Sequence, residues 1–200
     1  MGMDLVLLGP PGSGKGTQAA ILSEKYRIPA ISTGDVLRAQ VEAGTPLGKR
    51  VKAYLDRGEL VPDSLVVDLI QHRLSDPDTQ QGFILDGFPR TVPQAQALDG
   101  MLAALDRPLD AVLYLEVDPQ AVRERLDQRH RGDDLQGVID HRLDVFLQQT
   151  APLISYYQAH GKLKLIDGAQ PLEAVAASID EVIRPLAGSA NGSSRTPSRS

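Results

Sequence analysis

Gly9-Pro10-Pro11-Gly12-Ser13-Gly14-Lys15-Gly16-Thr17 is the stretch on which the fold turns. A short apolar run at residues 4–8 leads into it, and a helical pattern over residues 14–26 leads out. Strand, glycine-rich loop and helix in that order are the setting of a phosphate-binding loop. Its glycines let backbone N–H groups turn inward around phosphate oxygens. The helix start adds partial positive charge, and Lys15 supplies a full charge for the outer phosphates. The general pattern G-x-x-x-x-G-K-[ST] is met at Gly9, Gly14 and Lys15. Gly16 occupies the place of the expected hydroxyl, which is delayed to Thr17.

Outward from the loop, short apolar runs at residues 28–32, 82–86, 110–117 and 162–167 read as further strands. Helical patterns fill residues 34–43, 46–57, 63–74, 92–104, 119–128, 134–160 and 171–183. The long one is expected to kink at Pro152, whose ring does not fit an undistorted helix. Five mostly unalternating strands separated by helices predict an α/β fold with a doubly wound parallel sheet covered on both faces. Residues 33–61 form a helical excursion without a strand of its own. No internal repeat is visible. Residues 188–200 hold five Ser, two Gly and no large apolar side chain, a composition expected to stay disordered. The expected domain therefore spans residues 1–187.

Composition narrows the function. Of 200 residues, 42% are hydrophobic and 24% charged, normal for a globular domain. The 26 acidic and 21 basic residues give a net charge of −5, which argues against broad binding to nucleic acid or to a membrane surface. Aromatics are 4% and Trp is absent, poor material for base-stacking surfaces. With no Cys, disulfides, thiol nucleophiles and Cys-ligated zinc are excluded. His72, His130, His141 and His160 are too scattered to suggest a metal site. No apolar run is long enough for a membrane span, no signal peptide is evident, and Val6 breaks the myristoylation pattern. A cytoplasmic protein is the expectation.

Gly9 to Gln18 resembles the phosphate loop of the adenylate kinase family, within the nucleoside monophosphate kinases. That resemblance implies a P-loop NTPase fold and a reversible, Mg²⁺-dependent transfer of the ATP γ-phosphate to AMP, giving two ADP. Gly12, Ser13, Gly14, Lys15, Gly16 and Thr17 would bind ATP, with Thr17 and Asp86 holding Mg²⁺ through water. A second block, Asp86-Gly87-Phe88-Pro89-Arg90-Thr91-Val92-Pro93-Gln94, follows the third predicted strand. Ligands of parallel α/β sheets bind at the C-terminal ends of strands, which places Asp86 near the phosphate loop. By resemblance Gly87, Phe88, Pro89, Arg90 and Gln94 line the AMP site. A planar guanidinium at Arg90 suits a phosphate clamp, and the Gln94 amide suits paired bonds to an adenine edge. Ser32-Thr33-Gly34-Asp35-Val36-Leu37-Arg38 opens the excursion, and the resemblance puts Thr33 by the acceptor base and Arg38 on the acceptor phosphate. Thr33 also suits a helix N-cap. The backbone of Glu59, Leu60 and Val61 would run along the acceptor nucleoside.

Beyond the fourth strand, Arg125 and Arg129 stand four apart on one helix face. The resemblance makes Arg129 a lid arginine on ATP, Arg125 its neighbour at the base, and Arg131 and Arg142 a bridge between transferred and acceptor phosphates. Surface charge paired with nearby Glu and Asp is the plainer reading of the same cluster. Family members carry a loop or a small, sometimes zinc-bound domain between the positions of Arg129 and Arg131; here only His130 intervenes, so the lid, about residues 125–134, is expected to be very short and without zinc. Gln170 follows the fifth strand, in a loop resembling the one that borders the ATP base. Lys15, Arg90, Arg125, Arg129, Arg131 and Arg142 would neutralise charge during transfer. A monomer is the family expectation. A kinase for UMP or CMP, disfavoured by Thr33 and Gln94, and a non-enzymatic P-loop switch, which leaves Arg38, Arg90 and Gln94 unexplained, are the rival readings.

Overall fold

β1 (Met3–Leu8) has every residue buried. Successive side chains of a strand point to opposite faces, so Val6 and Leu8 enter one core while Met3, Leu5 and Leu7 enter another. A strand apolar on both faces needs cover on both, and that requirement organises the molecule. The computed structural model describes residues 2–127 and 136–189. The elements that follow β1 are α1 (Lys15–Tyr26), β2 (Ala30–Ser32), α2 (Thr33–Glu42), α3 (Pro46–Arg57) and α4 (Asp63–Leu74). Then come a short 3₁₀ turn (Pro77–Gln81), β3 (Gly82–Asp86), α5 (Val92–Ala104), β4 (Ala111–Glu116) and α6 (Pro119–Asp127). α7 (Gln136–Val145), α8 (Pro152–Ala159), β5 (Leu163–Asp167) and α9 (Leu172–Ser189) complete the elements of the described residues.

The five strands form one sheet in the order β2-β3-β1-β4-β5, with all pairings parallel. One face packs on Leu37, Val51, Ile70, Leu98 and Tyr157, from α2, α3, α4, α5 and α8. The other packs on Ala19 and Leu22 of α1 and on Val175, Ile179 and Ile183 of α9. This is the expected doubly wound α/β architecture of a P-loop NTPase fold. Residue Asp86, last in β3, pairs with Leu7 of β1 on one side and Ser32 of β2 on the other. Three chain exits therefore converge at one edge: the glycine loop after Leu8, the excursion after Ser32 and the Gly87 loop.

Three local readings are corrected. Strand β2 starts at Ala30 rather than residue 28, because Pro29 has no N–H to give a ladder and Ile28 is buried in the core under α1. The long helix is not simply kinked at Pro152: residues Phe146–Thr150 form a π-turn immediately before it. Pro152 has no N–H for the Gln148 carbonyl and its ring crowds it, so the preceding turn widens and Ala151 N–H reaches Phe146 O at 2.8 Å. The last helix runs through Pro185 to Ser189 instead of ending at residue 183. Ile183 and Leu186, one turn apart, keep the same face on the core across the proline. The tail expected to be disordered falls, from residue 190 onward, outside the described residues.

Candidate functional site

The phosphate loop closes on itself. Ser13 N–H donates to Pro10 O at 3.1 Å, and Gly14 caps α1 with φ of 95°. Gly12 shows why this loop excludes other residues. Its φ is 81°, and a Cβ there would stand 2.8 Å from Leu126 Cγ of α6. Lys15 begins the helix, and its Nζ donates to Gly9 O and Pro10 O, both at 2.8 Å. These carbonyls hold the ammonium across the mouth of the loop. Gly16, which departs from the common pattern, sits beside Asp86, whose Oδ2 lies 3.4 Å from where a Gly16 Cβ would stand.

One cavity of about 620 Å³ covers this edge of the sheet, within the size range of nucleotide-scale clefts. Gly12, Ser13, Gly14, Lys15, Gly16 and Thr17 line it, as do Asp86, Arg125 and Gln170. So do Arg38, Leu60, Gly87, Pro89, Arg90 and Arg142. An adjoining cavity of about 60 Å³ is lined by Thr33, Glu59, Val61 and Gln94, and it shares Arg38, Leu60, Gly87, Arg90 and Arg142 with the larger one. Residues read from sequence as two separate nucleotide sites thus face one continuous cleft.

Phe88 does not line it. Its ring is fully buried in the core beneath α5, so only its backbone stands in the loop; an aromatic in a loop block carries no sign of which way it turns. Thr33 is not the cap of α2 either. Ser32 takes that role, accepting from Asp35 N–H at 3.3 Å. The Thr33 hydroxyl instead donates to Gly87 O at 2.8 Å, tying the excursion to the end of β3. Arg129 and Arg131 lie outside the described residues, as do His130 and most of the expected lid.

The arginines are anchored from several elements. Arg90 Nε donates to Gly87 O at 2.9 Å, Arg125 Nη2 donates to Gly168 O at 3.1 Å, and Arg38 pairs with Asp35. Arg142 of α7 packs on Gly58, where a Cβ would stand 2.7 Å from Arg142 Cγ and where φ is 70°. A glycine at the end of α3 is what lets the second arm of the cleft approach α7. Glu59 pairs with Arg57 at 2.8 Å, and that hydrogen bond holds its carboxyl below the usual range. At the end of β5, Asp167 accepts from Ala169 N–H at 2.9 Å and Gln170 Nε2 at 3.1 Å, and these bonds lower its pKa. The Gln170 side chain is thereby tied to its own loop.

Several residues of the site escape a sequence reading. Val145 at the end of α7 and Phe146 and Thr150 of the π-turn line the large cavity, and only Pro152 hinted at a distortion there. Gln18, buried at 2% exposure, lines the same cavity, and its Nε2 donates to Leu172 O at 3.1 Å. Asp63, first residue of α4, binds Gln94 Nε2 at 2.7 Å and the Thr91 hydroxyl at 3.0 Å. Among the described residues no group of three or more His, Asp or Glu is placed to hold a metal ion. No helix among them is long and apolar enough to cross a membrane.

A parallel sheet with a glycine-lysine loop at its C-terminal edge, and further cationic side chains lining the same cleft, defines the class: a P-loop nucleotide-binding fold. A family model described as adenylate kinase matches residues 7–162. Adenylate kinase of Thermobifida fusca (strain YX) is 51% identical over 177 residues, covering 86% of this chain and 94% of that protein. Adenylate kinase 1 of Synechocystis sp. is 49% identical over 185 residues, covering 92% and 99%. Adenylate kinase of Methanocella arvoryzae is 43% identical over 216 aligned positions, covering 92% and 100%. Since 216 exceeds the 200 residues here, that relative has stretches this chain lacks. The chain belongs to the adenylate kinase family, and it is a phosphotransferase.

Proposed function

We propose that the protein transfers the γ-phosphoryl group of ATP reversibly to AMP, giving two ADP. The observation that carries this reading is the single cleft with Lys15 and the glycine loop at one end and Arg38, Arg90 and Leu60 at the other. ATP would lie with its phosphates on the loop amides and its base toward residues 168–172, beside Arg125. AMP would lie against Thr33, Leu60, Val61 and Gln94, its phosphate on Arg38 and Arg90. An oxygen of the AMP phosphate forms a bond to the γ-phosphorus while the bond to the β–γ bridging oxygen breaks, in line. Little covalent work falls to the protein, so positioning and charge carry the rate. Lys15, Arg90, Arg125 and Arg142 supply positive charge around the transferring group, with Arg129 and Arg131 assigned to the same task by resemblance. Exclusion of water favours transfer over hydrolysis.

Mg²⁺ fits the donor set: Thr17 and Asp86 offer hard oxygen ligands at the phosphate end of the cleft, and this ion is commonly held by one or two protein oxygens plus waters and phosphates. When bound it neutralises phosphate charge. A monomer acting in the cytoplasm, with no nucleic-acid or membrane partner, completes the proposal. The test is a transfer assay from ATP to AMP, GMP, UMP and CMP, with and without Mg²⁺. AMP is expected to be the preferred acceptor, with activity lost on chelation. Preference for UMP would move the protein to another acceptor class, and transfer to none of the four would defeat the reading.

A further inference from the structure

We propose that Asp63 is a positioning residue that sets the choice of acceptor base by fixing which way the Gln94 amide points. This rests on the reading of AMP as acceptor. Gln94 is 2% exposed and lines the smaller cavity. Both of its amide atoms are engaged. Arg90 N–H donates to Oε1 at 2.7 Å, and Nε2 donates to Asp63 Oδ1 at 2.7 Å. The other Asp63 oxygen accepts from the Thr91 hydroxyl at 3.0 Å, which turns that hydroxyl's lone pair toward Gln94 N–H at 3.3 Å.

These partners are directional. A flipped amide would set Oε1 against the Asp63 carboxylate, two acceptors together. It would also set the NH₂ against Arg90 N–H, two donors together. A primary amide has two N–H donors and two carbonyl lone pairs. With one of each engaged, Gln94 keeps one donor and one acceptor in a fixed order. That order matches an amino base, whose ring nitrogen accepts and whose exocyclic amine donates, as in adenine and also cytosine. An oxo base, such as hypoxanthine, guanine or uracil, presents the reverse order and would leave a buried group unpaired. Rejection therefore comes from the repulsion that the Asp63 carboxylate, together with the Arg90 N–H, imposes on the flipped state, not from Gln94 alone.

AMP and IMP isolate this effect, since they differ only along the edge in question. The experiment measures kcat/KM for both acceptors, and their dissociation constants by calorimetry without ATP. The variants are Asp63→Ala and Asp63→Asn. Asp63→Ala is expected to reduce the AMP:IMP preference at least about tenfold, the discrimination of one good bidentate pair, while KM for ATP stays within about twofold. Asp63→Asn can still accept from Gln94 Nε2 and is expected to keep most of the preference. A purely structural role would weaken AMP and IMP equally, and that result, or an unchanged ratio, overturns the proposal. So does a wild-type protein that binds IMP as tightly as AMP. Should Asp63→Ala fail to fold, Asp63→Ser keeps a polar helix start but falls short of Gln94, and the same ratio is read from it. The binding arm separates the two readings: loss of AMP selectivity in the variant without any phosphoryl transfer in the wild type would sink the proposed reaction and leave this inference standing.

Discussion

The two edges of the sheet use arginine and aspartate in opposite ways. At the N-terminal edge, Asp4 of β1 is 3% exposed and is gripped by Arg107, whose Nε donates at 3.0 Å and whose Nη2 reaches both carboxylate and Thr79 O. Asp110 accepts from Asp4 N–H at 2.8 Å, and the guanidinium lies 5.3 Å from the Phe83 ring centre. Burial pushes the Asp4 carboxyl above its usual range even against the opposing pull of Arg107. This edge is a closed ion pair that locks β1, β4 and the turn before β3. At the C-terminal edge, Lys15, Arg90 and Arg125 line a wide cleft and donate to main-chain carbonyls. A carbonyl accepts from a cation and fixes its direction. The difference teaches that the partner, not the residue type, tells structure from site: a buried carboxylate ends an arginine's chemistry, whereas a carbonyl aims it.

The largest effect should come from the open edge. Lys15→Met is expected to lower kcat by about 10²–10³, the scale for removing one preorganised charge contact, with the melting temperature held within a few degrees. Near-normal turnover in a folded variant would break the contrast, because it would make Lys15 a loop staple. Arg107→Ala tests the closed edge and should do the reverse. Removing one partner of a buried pair is expected to cost about 3 kcal/mol of stability by urea unfolding, while kcat at 25 °C changes less than about twofold. A large loss of turnover with little loss of stability would erase the distinction between the edges.

The sequence made the open edge legible and the closed edge nearly invisible. Phosphate binding needs consecutive residues in one loop, so Gly9 to Thr17 reads as a unit, and continuous apolar runs such as residues 82–86 announce buried parallel strands. The Asp4–Arg107 pair joins residues more than a hundred positions apart. Asp63 likewise meets Gln94 only because α4 returns beside the Gly87 loop, and no local pattern encodes that return. Where adjacent residues have the same talent, as Ser32 and Thr33 do for capping, only packing decides, and burial of Thr33 under Gly87 left Ser32 to cap. The π-turn before Pro152 was legible as a distortion but not in its type, since several backbone solutions relieve a proline.

A third acidic group, on the far face of the molecule, sharpens the comparison at its weakest end. Asp180 of α9 joins α9 to α1: it accepts from Lys25 and Arg184, both at 2.7 Å, and from the Tyr26 hydroxyl. It has cationic partners like Asp4, but those partners are solvated, with Arg184 69% exposed. The outcome is opposite to that at Asp4: the hydrogen bond from Arg184, then those from Lys25 and Tyr26, outweigh burial and hold the Asp180 carboxyl well below its usual range. Burial, and then the bond to Asp180, push Tyr26 up to about 12. The sign follows from proton binding. Between the folded and unfolded pKa the unfolded chain binds the extra proton, so stability falls as pH falls through that interval and is fully present above about pH 4. Ion pairs open to solvent contribute at most about 1 kcal/mol, so Asp180→Asn is expected to lower the melting temperature by about 2–4 °C at pH 7. That gap should close as the pH is taken below about 4, with turnover unaffected throughout. A gap independent of pH would mean that Asp180 acts by shape rather than charge, which would place it with neither edge.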